Sequence, residues 1–392
     1  DTDRVLGNRI VQLFVACGSL TDAHLVFNEL IYRNVLSWTS LISGYIEHEQ
    51  FHQAFNLYHK MYEDHVLPSS YTFVALLKGC IKTRNLNKGR QFHVEAVWNG
   101  FENDPFVATA LVDMYCKFGL LPQAQEAFDK VMVRDSVIWN AIIGGYLEHG
   151  HVVDALRCFK QMRYGVVPPD VLTFAFSLKA YGGIAGGIKE GQDIHTEICW
   201  KGLESDTFLG NVLVDMYARC GALRKAQEVF NELFVKTIVT WNFLIGGYAQ
   251  LGDDKMVFTS FNKMIEGDIN PDQVTFLSLL TTCIHSGQLE LGIDCFIIMY
   301  SIYGIIPTIE HVICMIDLYG RAGHFEKVVS VIIEMPFLAN LALWQIVLGA
   351  CQKWGNSKLG KMAFEFAVEL DERDVASYIL MSNIYAIDIH VT

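Results

Sequence analysis

Residues 35–45 read VLSWTSLISGY, and similar stretches return at residues 136–146 (SVIWNAIIGGY) and 238–248 (IVTWNFLIGGY). The tryptophans of the three stretches are 101 and 102 residues apart. The positions that recur with this period include Trp38, Trp139 and Trp241; Gly44, Gly145 and Gly247; and Phe27, Phe128 and Phe230. A period this long exceeds that of a single helical repeat, so it indicates an array in which three shorter units make up one cycle.

The first complete cycle divides into predicted pairs of helices. In residues 35–69, apolar side chains recur at i, i+3, i+4 and i+7 in two runs, which predicts two amphipathic helices joined by a short turn. The runs are Trp38, Leu41, Ile42 and Tyr45, then Ala54, Leu57, Tyr58 and Met61. Residues 70–104 and 105–135 repeat the pattern, so units of 35, 35 and 31 residues account for the 101-residue period.

The same division extends over residues 4–340, and a different pattern follows. The predicted units are 4–34, 35–69, 70–104, 105–135, 136–170, 171–206, 207–237, 238–272, 273–307 and 308–340. Residues 341–374 form one further predicted helix pair, and residues 375–392 begin another whose helix, residues 378–386, lacks a partner. Because an unpaired end of a solenoid exposes an apolar face, we expect this helix to be poorly stabilised in a chain cut short there.

This organisation predicts an all-α fold. We expect a right-handed α-solenoid superhelix of about ten helix–turn–helix pairs, without strands. We also expect Trp38, Trp139 and Trp241 to pack within their own repeats.

Composition restricts the possible functions. Among 392 residues the formal net charge is −13, which argues against nucleic-acid binding through bulk electrostatics. None of the ten cysteines forms a C-x-x-C pair, so we interpret them as reduced core residues in a reducing compartment. The chain starts with Asp1 and shows no basic leader, which suggests a removed leader or a fragment. We identify no stretch that could span a bilayer.

The repeated segments resemble pentatricopeptide repeats. The resemblance is carried by residues 35–45 and 240–248, and by the short-unit segment 213–221, LVDMYARCG. The alternation of standard, long and short units is similar to that of the PLS subclass of plant organelle proteins in this family. Residues 344–360 resemble the E-type extension motif of RNA-editing factors, and a second extension motif starts near Tyr378. Because the resemblance ends with this second motif, we expect the chain to lack the deaminase domain, the DYW domain, that some relatives carry at the C-terminus.

The resemblance implies that each repeat reads one base of single-stranded RNA with its fifth and last residues. The implied pairs are Asn8 with Asn34, Thr39 with Ser69, Thr109 with Asp135, Asn140 with Asp170, Asn211 with Thr237, and Asn242 with Asp272. At the fifth position the long units have Val74, Ala175 and Leu277, and the last short unit has Val312, none of which can hydrogen-bond a base. The alternative for the Asn and Thr residues is a role in the helix N-cap or first turn.

The family's base preferences imply a target for this array. Repeats run from N- to C-terminus along RNA from 5′ to 3′, with Asn and Asp together preferring U and Thr and Asp preferring G. Asn paired with Asn or Thr prefers a pyrimidine, and Thr paired with Ser prefers a purine. The expected target is therefore 5′-Y-R-n-G-U-n-Y-U-3′, in which Y is a pyrimidine, R is a purine and n marks the base at a long unit.

Two motifs with catalytic associations have simpler interpretations. His93-Val94-Glu95 matches half of a zinc deaminase signature, but P-C-x-x-C is absent and His195 occupies the same repeat position. The glycine-rich segment 182–187 follows a helix instead of a strand, so we interpret it as a turn and not a phosphate-binding loop. We therefore expect no enzyme activity, no cofactor and no bound metal.

Two classes of function remain open from the sequence. In the first, the chain is an RNA-binding specificity factor for C-to-U editing in a mitochondrion or chloroplast, with single-stranded RNA and a separately encoded deaminase or editing-complex protein as partners. A role in RNA stabilisation or splicing is a variant of it. In the second, the array is a protein–protein scaffold similar to tetratricopeptide repeats, which the acidic charge favours. A degenerate copy that binds nothing also remains possible.

Overall fold

A computed structural model describes residues 2–165, 167–335 and 339–391. These residues form twenty-three α-helices and contain no β-strand, so the predicted all-α class is confirmed. None of the helices in the described ranges is both long and apolar enough to cross a bilayer.

The helices follow one another as pairs with short connections. In chain order they are α1 Thr2–Ala16, α2 Leu20–Glu29, α3 Val35–Glu47, α4 Phe51–Glu63, α5 Ser70–Lys82, α6 Leu86–Trp98, α7 Pro105–Lys117, α8 Leu121–Lys130, α9 Ser136–Glu148, α10 Val152–Tyr164, α11 Val171–Gly182, α12 Ile188–Trp200, α13 Thr207–Arg219, α14 Leu223–Glu232, α15 Ile238–Gln250, α16 Asp254–Glu266, α17 Gln273–Ser286, α18 Leu289–Ser301, α19 Ile309–Ala322, α20 Phe325–Glu334, α21 Leu341–Trp354, α22 Ser357–Leu370 and α23 Val375–Val391.

The chain consists of two compact units, residues 1–180 and 181–392. In the first unit the odd-numbered helices α1 to α9 contact each other in series, and each even-numbered helix packs beside the odd-numbered helix that precedes it. The second unit has the same arrangement, with the odd-numbered helices α13 to α23 in series. The odd-numbered helix is the first helix of its repeat, so the first turns of these helices recur at one position in every repeat.

The recurring tryptophans pack against the preceding repeat, a contact that the expectation of packing within their own repeats did not include. Trp38, in α3, meets the ring of Phe27, in α2, edge-on with 4.6 Å between the centroids. The equivalent pairs are Phe128 with Trp139 and Phe230 with Trp241. The i, i+3, i+4 pattern identifies the buried face of a helix, but it does not identify the helix that covers that face.

Helix α19 starts at Ile309, one residue later than the predicted start of its unit at residue 308. Thr308 is its N-cap, the role that Asp272 has for α17, so the cap places the repeat boundary after Thr308 instead of Pro307. In this register Ile313 replaces Val312 as the fifth residue. Both residues are apolar, so the expectation that this repeat has no hydrogen-bonding side chain at its fifth position is the same in either register.

The final helix has partners, contrary to expectation. Helix α23 contacts both α21 and α22, and its residues Met381 and Ile384 are buried. Tyr378 also meets the ring of Phe364 edge-on at 5.1 Å, while Ile379 remains exposed. One face of the helix is therefore packed.

The cysteines only partly follow the prediction of a core role. Seven of the ten are buried, while Cys17 and Cys199 are exposed and Cys220 is half-buried. All ten are free thiols.

Candidate nucleic-acid interface

The last residue of each predicted base-reading pair is a helix N-cap. The side chain of Asn34 accepts a hydrogen bond from the backbone N–H of Ser37, and Asp135 accepts one from Ile138. Ser69, Asp170, Thr237 and Asp272 cap the next first helix in the same way. The cap therefore fixes these side chains at the junction of two repeats, since a capping oxygen must stay within reach of the first-turn N–H groups.

Two of the predicted pairs are in direct contact. The Asn140 side chain donates from Nδ2 to both carboxylate oxygens of Asp170, each at 3.0 Å. Asn242 Nδ2 donates to Asp272 Oδ1, also at 3.0 Å. These are the two pairs for which the resemblance implies a preference for U.

A third side chain links most of the pairs to the following repeat. In four repeats the fifth residue hydrogen-bonds the hydroxyl of a threonine at the third position of the next first helix. The four contacts are Thr39 with Thr72 at 2.7 Å, Asn140 with Thr173 at 2.7 Å, Asn211 with Thr240 at 2.6 Å, and Asn242 with Thr275 at 2.6 Å. All four linking threonines are completely buried. The sequence analysis did not identify them, although they stand at one repeat position.

The other two pairs are held differently. Asn8, which is 2 % exposed, donates to the Tyr32 carbonyl and accepts from the backbone N–H of Asn34, both at 3.2 Å. Thr109 donates to the carbonyl of Pro105 in its own helix at 2.8 Å. The six pairs are therefore not structurally equivalent.

The carboxyl group of Asp170 is in its ionised form at neutral pH. Burial acts to raise its pKa, but hydrogen bonds from the Thr173 backbone and from the Asn140, Thr173 and Ser136 side chains outweigh this effect and lower the pKa. The ionised carboxylate only accepts hydrogen bonds, so it can hold the Asn140 amide only through the Nδ2 group.

A row of exposed apolar side chains accompanies these polar residues, and the sequence analysis missed it. The second residue of eight first helices is a large apolar or aromatic residue that is 46 to 60 % exposed. These residues are Leu36, Tyr71, Phe106, Val137 and Leu172 in the first unit, and Phe208, Val239 and Val274 in the second. The available signal was an apolar residue at the second position of eight successive repeats, outside the face that the helical spacing buries.

The two kinds of residue meet in a cavity of the first unit. Its volume is about 640 Å³, and its lining includes the exposed Leu36 and Tyr71 together with the pair Thr39 and Ser69. A second cavity of about 370 Å³ is lined by Asn140 and also by Lys117. Apolar walls with a few hydrogen-bonding groups are the combination that receives a planar ligand with polar edges.

The two catalytic motifs have structural roles. His93 Nδ1 is 2.7 Å from the hydroxyl of Tyr115, and the equivalent His195 is 2.9 Å from that of Tyr217. Burial lowers the pKa of both histidines. Across the described ranges, no three His, Cys, Asp or Glu side chains are grouped in a way that could hold a metal ion. The glycine-rich segment connects α11 to α12.

Comparison with known proteins identifies the repeats. Models described as "PPR repeat family" match residues 33–82, 134–182 and 236–300, and models described as "PPR repeat" match 106–135, 211–237 and 312–337. Together the matches cover more than half of the chain.

Similar proteins are found in Arabidopsis thaliana. Pentatricopeptide repeat-containing protein At2g03880, mitochondrial, of Arabidopsis thaliana is 35 % identical over 97 % of this chain and 60 % of its own length. The protein At1g11290, chloroplastic, of the same plant is 34 % identical over 97 % of this chain and 47 % of its own length. The chain therefore spans about half the length of these relatives.

Among solved structures, maize PPR10 has a TM-score of 0.57 at 16 % sequence identity and covers 96 % of this chain and 70 % of its own. That similarity concerns the fold. With the repeat matches and the Arabidopsis relatives, it shows that the chain belongs to the pentatricopeptide repeat family.

Proposed function

We propose that this chain binds single-stranded RNA and reads its bases through the fifth and last residues of its short and standard repeats. The observation that carries the proposal is the cavity that combines Leu36 and Tyr71 with the polar pair Thr39 and Ser69. Maize PPR10 was solved in complex with an 18-nucleotide psaJ RNA element, which is a property of that protein.

The geometry fits an unpaired base better than a base pair. The exposed ring of Tyr71 can stack on a base, which contributes about 1–3 kcal/mol per base and favours no particular sequence. The exposed Leu36 can pack on the same base through its apolar surface. Polar groups such as Asn140 and Asp170 then meet the base edge, where the pattern of donors and acceptors differs between bases. Stacking gives affinity and the polar pair gives selectivity.

In more detail, we propose that the chain is a specificity factor for C-to-U RNA editing in a mitochondrion or chloroplast. The support is the alternation of unit lengths and the resemblance of residues 341–374 and 375–392 to extension motifs. The proposed domains are the array at 4–340 and these two motifs. The chain would bind and position RNA without catalysing a reaction, and a deaminase encoded elsewhere would act on the cytidine.

The net charge of −13 favours the second candidate function, a scaffold for other proteins. Filter binding with a randomised RNA pool distinguishes the two functions, with single- and double-stranded DNA as controls. We expect enrichment of RNA that contains 5′-Y-R-n-G-U-n-Y-U-3′. A chain that retains none of the pool above the DNA background would favour the scaffold.

The substitution Asp170→Asn tests the reading of one base. Asn remains a good N-cap, so the helix should be kept while the carboxylate is lost. We expect the preference for U over C at the fifth base to fall about tenfold, with the seventh and eighth bases unaffected. Binding to RNAs that differ only at these bases provides the measurement.

Asp206→Asn is the matched control for that substitution. Asp206 caps α13 but ends a long repeat whose fifth residue is the apolar Ala175. We expect this variant to keep every base preference. If Asp170→Asn also kept its preference at the fifth base, the reading of bases by residue pairs would be wrong for this chain.

A further inference from the structure

The four linking threonines, Thr72, Thr173, Thr240 and Thr275, form hydrogen bonds across a repeat boundary. Each belongs to the first turn of one repeat and contacts the fifth residue of the repeat before it, at 2.6 to 2.7 Å. Their side chains are completely buried, so their hydroxyl groups must be satisfied within the protein.

The hydroxyl constrains how the fifth residue presents its polar atoms. Thr173 Oγ1 donates to Asn140 Oδ1 at 2.7 Å, while Asn140 Nδ2 donates to the carboxylate of Asp170. An amide has two N–H donors and an oxygen with two lone pairs. The Asp170 carboxylate takes the donor side of the Asn140 amide and the Thr173 hydroxyl takes one lone pair of its oxygen, so the second lone pair of Oδ1 remains for a base. Rotating the amide by 180° would turn its oxygen toward the carboxylate, which is unfavourable.

Helix capping alone does not require this hydroxyl. Asp135 caps α9 through the backbone N–H of Ile138 at 3.0 Å, although Ile138 occupies the position of the threonines. In the repeat that ends with Asp135, the fifth residue, Thr109, donates to a carbonyl of its own helix instead. The threonine hydroxyls also accept a hydrogen bond from the backbone N–H of their own N-cap residue. Because Asp135 caps α9 without a hydroxyl at this position, the contact with the fifth residue of the preceding repeat is not needed for the side-chain cap.

We propose that Thr173 and its equivalents Thr72, Thr240 and Thr275 are positioning residues for base selection. They orient the fifth residue of the preceding repeat, so that each base is read by three side chains from two repeats. The inference rests on the proposed function, because it concerns how the same residues read RNA.

The test compares Thr173→Val with Thr173→Ser in the full chain. Valine has the shape of threonine without the hydroxyl, and serine restores the hydroxyl. The probes are four fluorescein-labelled RNAs, 5′-CAAGXACU-3′, in which X, the fifth base, is U, C, A or G. We expect Thr173→Val to reduce the preference for U over C about fivefold, as for the loss of one hydrogen bond, and Thr173→Ser to restore it.

Ile138→Val is the matched control, because it changes the same repeat position where no hydroxyl is present. With RNAs of sequence 5′-CAAXUACU-3′, which vary the fourth base, it should leave the preference at that base unchanged. A general loss of stability in Thr173→Val would weaken binding to all four probes equally, whereas loss of orientation changes the ratio between them. If Thr173→Val does not fold, Thr275→Val provides the same comparison at the eighth base, read by Asn242.

The outcomes separate this inference from the function on which it rests. If the unaltered chain shows no preference for U at the fifth or eighth base, the proposed reading of RNA is wrong. If that preference exists and persists in the valine variant, only the role of the threonines is overturned. An equal loss of the preference for U over C in Thr173→Val and Thr173→Ser would also overturn the role of the threonines.

Discussion

Asp170 serves two repeats with one carboxylate. It caps the helix that follows through the Thr173 backbone N–H, and it holds the amide of Asn140 in the repeat before. A substitution at this residue can therefore affect folding and recognition together. Asn keeps the cap and removes only the charge, which is why it is more informative here than Ala.

The lowered pKa of Asp170 predicts a specific dependence of stability on pH. A carboxyl group with a lower pKa in the folded state stabilises the fold above its unfolded pKa, about 3.9, and this contribution is lost as the pH falls through the folded value. We therefore expect any advantage in melting temperature of the unaltered chain over Asp170→Asn to be constant from about pH 7 to 5 and to narrow below about pH 4. Circular dichroism melts of both proteins at each pH measure it, and a difference that widens toward low pH would contradict it.

The residue types of the candidate site could be predicted from the sequence, but their contacts could not. The resemblance to pentatricopeptide repeats implied the fifth and last positions, and the register of the repeats then identified the twelve residues. Sequence alone did not show that the last residues are the helix caps, or that Asn8 is almost fully buried. Nor did it show the link to Thr173, because that contact joins residues 33 positions apart in two different repeats.

At the scale of helices, spacing in the sequence predicted the elements well and their packing less well. The helices follow from apolar residues at i, i+3, i+4 and i+7, which depends only on local geometry. The contact of Trp38 with Phe27 of the preceding repeat was not predicted, because several helices could cover the same face. The start of α19 was misplaced by one residue, since Pro307 and Thr308 are both plausible boundaries until the cap is seen.

Adjacent glycines in α15 provide a test of how closely the first helices pack. A Cβ on Gly247 would lie 2.7 Å from the Cβ of Ala218 in α13, whereas one on Gly246 would have its nearest neighbour, Ser278 Oγ, at 3.8 Å. We expect Gly247→Ala to destabilise the fold by roughly 1–3 kcal/mol through overpacking. Denaturant unfolding followed by circular dichroism measures the change.

Gly246→Ala is the control in the same helix. Without a clash, alanine should stabilise the fold by about 0.5–1 kcal/mol, because glycine in a helix costs more backbone entropy. Equal effects of the two substitutions would mean that helix propensity outweighs the close approach of α13 and α15.

For the whole molecule, the charge of −13 limits how the proposed RNA ligand can be held. The first unit does bring cations near a proposed base-reading pair, since Lys117 and Lys179 line the cavity that is also lined by Asn140. Lys117 is already paired with Glu148, with 2.7 Å between Nζ and Oε2. Affinity should therefore depend more on stacking and base edges than on phosphates.

The small expected contribution of phosphate contacts predicts that the binding of RNA depends only weakly on salt concentration. Each neutralised phosphate of a single strand contributes about −0.7 to the slope of log K against log salt concentration. We expect a slope no steeper than about −2, equivalent to roughly three phosphates. Fluorescence anisotropy with the octamer probe over a series of salt concentrations measures it. A slope steeper than about −4 would show that phosphate contacts dominate.

The hydrogen bonds at the repeat junctions also determine where a repeat could be exchanged. A transplant of residues 136–170 would carry Asn140 and Asp170 but would leave Thr173 to be supplied by the recipient. A graft of residues 139–173 has the same length and carries all three partners. Recombination between arrays would therefore conserve the proposed base preference best when its crossover points fall after the first turn of a helix. The segment that is inherited intact would then begin and end three residues later than the repeat itself.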